Sequence, residues 1–230
     1  MTRRYAIYYA PPAGTELSRF GAEWLGRDAE TGQTAEPSHM QHITRTMWQD
    51  ATAAPRLYGF HGTLKPPFRL TPGTDETDMF AALAALGEDQ APVDAGGLRL
   101  TQLGRFLALM PEQADGIAAL AARCVREMDR FRAAPSPDEL ARRRAAGLTA
   151  AQESLLQRWG YPYVLEEYRF HMTLTDGLDD PAQVRFRDEL AGRTQKFIAT
   201  PLTISDLSVF TQDAPGTPFR LMRRVPLTGT

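Results

Sequence analysis

Two stretches decide the fold: Gly59-Phe60-His61-Gly62-Thr63-Leu64 and Arg169-Phe170-His171-Met172-Thr173-Leu174. Each reads aromatic, His, any residue, Thr, Leu, and neither shows a helical period. Side chains alternate along a strand, so His61 and Thr63 share one face while Phe60 and Leu64 share the other. The second copy puts His171 and Thr173 together and Phe170, Met172 and Leu174 behind them. A polar face backed by an apolar one lets a sheet line a cleft while its back packs on helices. The chain has only 4 histidines, and two of them fall in these matched settings. One His-x-Thr carries little information; two in the same surroundings point to a paired site.

The same alternation extends both polar faces. Lys65 follows Thr63 on the first, and Arg169 and Thr175 flank the pair on the second. Two readings stand for the cations. They build an extra anion site beside the paired motif, or Pro66 ends the strand, Lys65 turns to solvent and Arg169 pairs with an acid such as Glu167.

Working outward, Tyr5 to Ala10 reads as a strand stopped by Pro11-Pro12. Thr15 caps a helix to about Gly26, with Leu17, Phe20, Trp24 and Leu25 as its stripe. Residues 28 to 38 read as a loop, and 39 to 57 give no clear element. His39 and His42 are three apart, but no further His or Cys supports a metal site, so both are read as surface residues. Thr74 opens a helix carrying Met79, Phe80, Leu83 and Leu86. Strands follow at 98 to 103 and 105 to 110.

The pattern then restarts. A strand ended by Pro111 precedes a helix with Ile117, Leu120, Cys124, Met128 and Phe131 at helical spacing. Cys124 on that stripe reads as a core residue. After the second motif, Asp180-Pro181-Ala182-Gln183 reads as a helix start with a capping box, ending near Gly192. Residues 202 to 210 and 219 to 225 are closing strands. Strand, helix, His-x-Thr strand, helix and strand thus occur twice. The expected fold is α+β: a duplicated two-lobe chain with antiparallel sheets lining a central cleft and helices outside. It forms one bilobal domain, with lobes at about 1–104 and 105–230.

An insertion at about 133–168 carries its own helix signals: capping boxes at Ser136 to Glu139 and Thr149 to Gln152, and stops at Gly147 and Gly160. Arg142, Arg143 and Arg144 form a basic cluster, read either as a solvated face or as an anion-binding lid. The aromatic segment Trp159 to Tyr163, with Tyr161 at its centre, either walls the pocket or packs.

Composition narrows the class. With 26 basic and 28 acidic residues the formal net charge is -2, which argues against a strongly electrostatic nucleic-acid binder. One cysteine allows no intrachain disulfide and suits a reducing cytosol. No long apolar leader precedes the first strand and no apolar run approaches membrane-spanning length, so the expectation is a cytoplasmic protein.

Two imidazoles facing across a small polar cleft suit in-line displacement at phosphorus. One takes a proton from water and the other gives one to the leaving oxygen. Each Thr hydroxyl can donate to a non-bridging oxygen. The scheme needs neither metal nor other cofactor, and which His is the base stays open.

Paired His-x-Thr motifs in a duplicated α+β chain resemble the two-histidine (2H) phosphoesterase superfamily, which includes RNA cyclic phosphodiesterases and bacterial RNA-ligase-like (LigT-like) proteins. Arg4 to Pro11, Trp24 to Asp28, Tyr58 to Lys65, Arg158 to Tyr163 and Phe170 to Thr175 are similar to a bacterial branch called phosphonate-metabolism proteins, whose genes lie beside carbon-phosphorus lyase genes. The resemblance implies catalytic roles for His61, Thr63, His171 and Thr173. It implies hydrolysis of a cyclic phosphodiester of a small phosphorylated sugar, with the ribose cyclic phosphate of that pathway as one candidate. The substrate-binding candidates are Lys65, Arg169, Thr175, Arg142, Arg143 and Tyr161. Two other functions compete: processing of RNA 2′,3′-cyclic phosphate ends, and a module that holds a phosphorylated ligand or nucleotide without turnover. No membrane and no stable protein partner is expected.

Overall fold

The computed structural model describes residues 3–230. The chain opens with β1 (Arg4–Tyr9) and α1 (Glu16–Leu25). Thr15 accepts from Ser18 N–H at the start of α1, and Gly26 ends the helix at φ 77. The stretch without a clear sequence signal folds as two short helices, α2 (Arg45–Ala51) and α3 (Ala53–Tyr58). Their brevity hides the helical period, and Pro55 is tolerated because it lies in the first turn of α3. β2 (Gly62–Phe68), α4 (Glu76–Glu88), β3 (Val93–Asp94), β4 (Leu98–Leu103), β5 (Phe106–Pro111) and α5 (Asp115–Glu127) follow. Asp75, not Thr74, caps α4 by accepting from Asp78 N–H.

The insertion forms α6 (Pro137–Arg144) and α7 (Ala150–Trp159), each with its capping box in place. β6 (Met172–Thr173), α8 (Asp180–Thr194), β7 (Thr203–Ile204), β8 (Asp206–Gln212) and β9 (Arg220–Pro226) complete the chain. Asp179 caps α8 by accepting from Ala182 N–H, one residue earlier than expected. Gln183 forms no capping box; its amide donates to Leu178 O.

Seven strands make one antiparallel sheet in the order β4-β5-β6-β2-β1-β8-β9, and β3 pairs with β7 in a small second sheet. The strands of both halves therefore join at β2 and β6. The halves also interleave. β4, from the first half, extends the sheet through β5, while β8 and β9, from the second, extend it through β1. The apolar back of the sheet, including Ile7, Leu64, Leu109, Phe170, Met172 and Val209, is sealed in one core with α1, α4, α5 and α8. Among the described residues no helix is long and apolar enough to cross a membrane.

Candidate active site

β2 and β6 meet at one antiparallel pair, Gly62 with Met172. Counting from it sets His61 across from Thr173 and Thr63 across from His171, all on one face. Phe60, Leu64, Phe170, Met172 and Leu174 are buried behind, as the alternation predicts. The close approach explains the residue between His61 and Thr63. A Cβ at Gly62 would stand 2.3 Å from the Phe170 ring.

The two histidines are held by the same device. His61 Nδ1–H donates to Gly59 O at 2.9 Å, and His171 Nδ1–H donates to Arg169 O at 2.8 Å. A carbonyl only accepts, so each Nδ1 carries the proton and each neutral ring keeps its lone pair on Nε2. Thr63 Oγ1 lies 3.3 Å from His61 Nε2 and donates to it. Gly59 presents its carbonyl from a backbone at φ 79, a conformation that favours glycine. The turn before it is tied down by Arg27, whose guanidinium donates to Arg56 O and Leu57 O. Tyr168 Oη–H fastens the approach to the second motif onto the first by donating to Thr63 O at 2.7 Å.

Burial pushes the His61 imidazolium down to about 4, with the Gly59 carbonyl opposing and the charge of His171 adding to the push. His171 is also pushed down by burial, against the pull of the Arg169 carbonyl. Tyr8 stacks on His61, ring centroids 3.8 Å apart. A cavity of about 230 Å³ opens in front, lined by His61, Thr173, Tyr58, Phe106 and Asp176 among others. His171 is not part of this lining; its ring lies 5.5 Å from that of Phe106, which is. Among the described residues no three His, Cys, Asp or Glu side chains converge as metal ligands.

The flanking candidates divide. Lys65 is not on the polar face. β1 residues Ile7 and Tyr8 pair with Lys65 and Thr63, so one step on β1 spans two on β2. This bulge at Leu64 turns Lys65 to the core side with Ile7. Its ammonium, 2% exposed, donates to Val125 O at the end of α5. Burial lowers it to about 8, partly countered by Asp129. Thr175 is fully buried behind the wall of the histidine cavity, with Oγ1 accepting from Leu107 N–H, so it braces β5. Arg169 is exposed beside His171, and Glu167 accepts from Gln152 instead of pairing with it. Arg142 and Arg143 line a neighbouring cavity, and the Arg143 guanidinium lies 4.3 Å over the Tyr161 ring. Tyr8, Tyr58 and Phe106 escaped the sequence reading, although the alternation of β1 already sets Tyr8 apart from Ile7 and Tyr9.

A family model described as a protein of unknown function (DUF1045) matches residues 63–220. A protein of Janthinobacterium sp. (strain Marseille) named ribose 1,5-bisphosphate phosphokinase PhnN is 40% identical over 98% of this chain. Its namesake in Laribacter hongkongensis is 35% identical over 96%. The chain spans about half of each relative, 51%. Among solved structures, E. coli LigT complexed with NADP+ overlaps at a TM-score of 0.45 and 13% identity, covering 99% of this chain and 98% of LigT. Kluyveromyces marxianus Usb1 with uridine monophosphate overlaps at 0.38 and 10%, covering 98% of each.

Proposed function

The chain belongs to the DUF1045 family, and we propose that it is a metal-independent phosphodiesterase. The observation that supports this is the matched pair of imidazoles, each with Nδ1–H committed to the carbonyl two residues upstream and each next to a Thr across the β2–β6 seam.

His61 is the base in this reading. It is held well below the ordinary imidazole value, and Thr63 already donates to its Nε2. Nε2 takes a proton from water, the water oxygen attacks phosphorus in line, and the opposite P–O ester bond breaks. His171, protonated in the complex, gives its proton to the leaving oxygen. Thr173, and Thr63 once water takes its place at His61 Nε2, steady the charge on the non-bridging oxygens. The negative charge of a bound phosphodiester favours protonation of His171.

The substrate class is a cyclic phosphodiester of a small phosphorylated sugar, in phosphonate metabolism. The resemblance supports it, as do a cavity of only about 230 Å³ and relatives named for a ribose bisphosphate. The phosphokinase part of that name is not carried over: these 230 residues hold no Gly-x4-Gly-Lys-Ser/Thr phosphate loop. Tyr58 and Phe106 at the cavity favour a second substrate, an RNA 2′,3′-cyclic phosphate end, since a base can stack on such rings.

A panel of sugar cyclic phosphates, nucleoside cyclic phosphates and RNA cyclic ends, assayed with and without EDTA, separates these readings. Turnover of the sugar compounds in EDTA, at higher kcat/KM than the RNA ends, is expected. A preference for RNA ends supports the second substrate. Binding without turnover throughout leaves a ligand-holding module.

A further inference from the structure

Beside the histidine cavity lies a second one of about 360 Å³, and its wall is positive. Arg4, Arg142 and Arg143 converge on it, with Tyr58, Tyr163 and Glu139. Among the described residues no carboxylate pairs with any of the three guanidiniums. Arg4 spends Nε and Nη2 on the neutral amide oxygen of Gln212. Arg142 reaches only the Asp138 carbonyl of its own helix, at 3.4 Å. Arg143 rests on the uncharged ring of Tyr161.

The one acid on the wall is already committed. Glu139 holds Arg69 through two bonds of 2.7 Å and accepts from Ser136 N–H at 2.8 Å. The Arg69 guanidinium beside it holds its carboxyl down to about 2. Two arginines close by are answered, Arg144 by Glu153 and Arg132 by Asp129, and neither lines this cavity. Three arginines without an acidic partner are therefore gathered on one wall. Like charges held together cost stability unless an anion joins them.

Tyr58 ties the two cavities. It lines both, and its ring lies 6.1 Å from that of His61. A ligand held at the arginines is one aromatic ring away from the reacting phosphorus. Guanidinium groups grip phosphate oxygens with paired, charge-assisted hydrogen bonds, and a monoester dianion offers three such oxygens.

We infer that the cavity of Arg4, Arg142 and Arg143 is a binding site for a phosphate monoester, and that the substrate carries this second phosphate apart from the diester at the histidines. The statement about the substrate rests on the phosphodiesterase reading; the monoester site does not. The second anion site expected at Lys65 and Arg169 thereby moves to the insertion helix, since Lys65 faces the core.

Titration calorimetry with ribose 5-phosphate, in EDTA, tests the site without any turnover. Ribose is the control. The proteins are the full chain, a His61→Ala/His171→Ala form, an Arg142→Gln/Arg143→Gln form and the two single Arg→Gln forms, each checked by circular dichroism. Binding to the full chain and to the histidine form within about threefold is expected, with no heat from ribose. At least about tenfold weaker binding is expected in the double arginine form, the scale of one lost charge-assisted bond, and a smaller loss in each single form. Should the double form misfold, the single forms decide. Arginine forms that bind as the full chain does would overturn the site, as would loss of binding in the histidine form. A short oligoribonucleotide that displaces ribose 5-phosphate at lower concentration than ribose 5-phosphate itself would assign the patch to RNA instead. Monoester binding with no turnover of any cyclic phosphodiester would refute the phosphodiesterase reading and leave the site standing.

Discussion

Thr63 and Lys65 are two residues apart and face opposite ways. A bulge of one residue is enough, because the side-chain period of a strand is two. Lys65 then does a structural job: the last carbonyls of a helix lack partners, and its ammonium answers that of Val125 on α5. Burial leaves it with a proton released near 8, against about 10.4 in the unfolded chain. Between those two values the unfolded state binds more protons, so stability climbs as pH rises through that window. A Lys65→Met protein should lack this slope in its denaturation curves and keep kcat/KM within about threefold. A large loss of kcat/KM with the slope intact would put Lys65 back in the cleft. The His/Thr quartet was legible because it needs only local alternation. Lys65 was not, because the pairing that displaces it involves β1, more than fifty residues away in sequence. The i−2 carbonyls that hold both imidazoles were likewise hidden, since backbone groups leave no mark in composition.

At the scale of elements, the β2–β6 seam depends on a missing side chain. Gly62 lets the Phe170 ring lie against the strand, and an added Cβ would fall 2.3 Å from that ring. Gly62→Ala should cost about 1–3 kcal/mol, the range for overpacking a filled core, measured by urea denaturation. It should also slow turnover, because the ring and the His171 strand must move together. A Gly62→Ala protein of full stability and activity would mean that the seam is looser than drawn. Helices with strong caps were readable from sequence: Thr15, Ser136 and Thr149 each accept from the backbone N–H three residues on. The positions of the caps on α4 and α8 were off by one residue, because adjacent Thr-Asp and Asp-Asp pairs compete for the same role. α2 and α3 were missed because six or seven residues span too few turns to show a stripe.

For the whole molecule, the repeated order of elements was visible in the sequence, and so was the antiparallel α+β class. The exchange of edge strands was not, since β8 and β4 bear no mark of which neighbour they will pair with. The arginine cavity was half visible: the basic run on α6 stood out, but Arg4 joins it only through the fold. The exchange gives the site its logic, because each half of the chain supplies one histidine to a single continuous sheet. The most direct test of that joint action is the pH dependence of kcat/KM for a cyclic phosphodiester in EDTA. The proposed reaction requires His61 neutral and His171 protonated, and both are pushed below the ordinary imidazole value near 6.5. The profile should be a bell with its maximum between about 4 and 6.5, and either His→Ala change should cost at least about 100-fold and remove one limb. A profile flat across that range, or full activity in the His61→Ala or His171→Ala protein, would contradict the account.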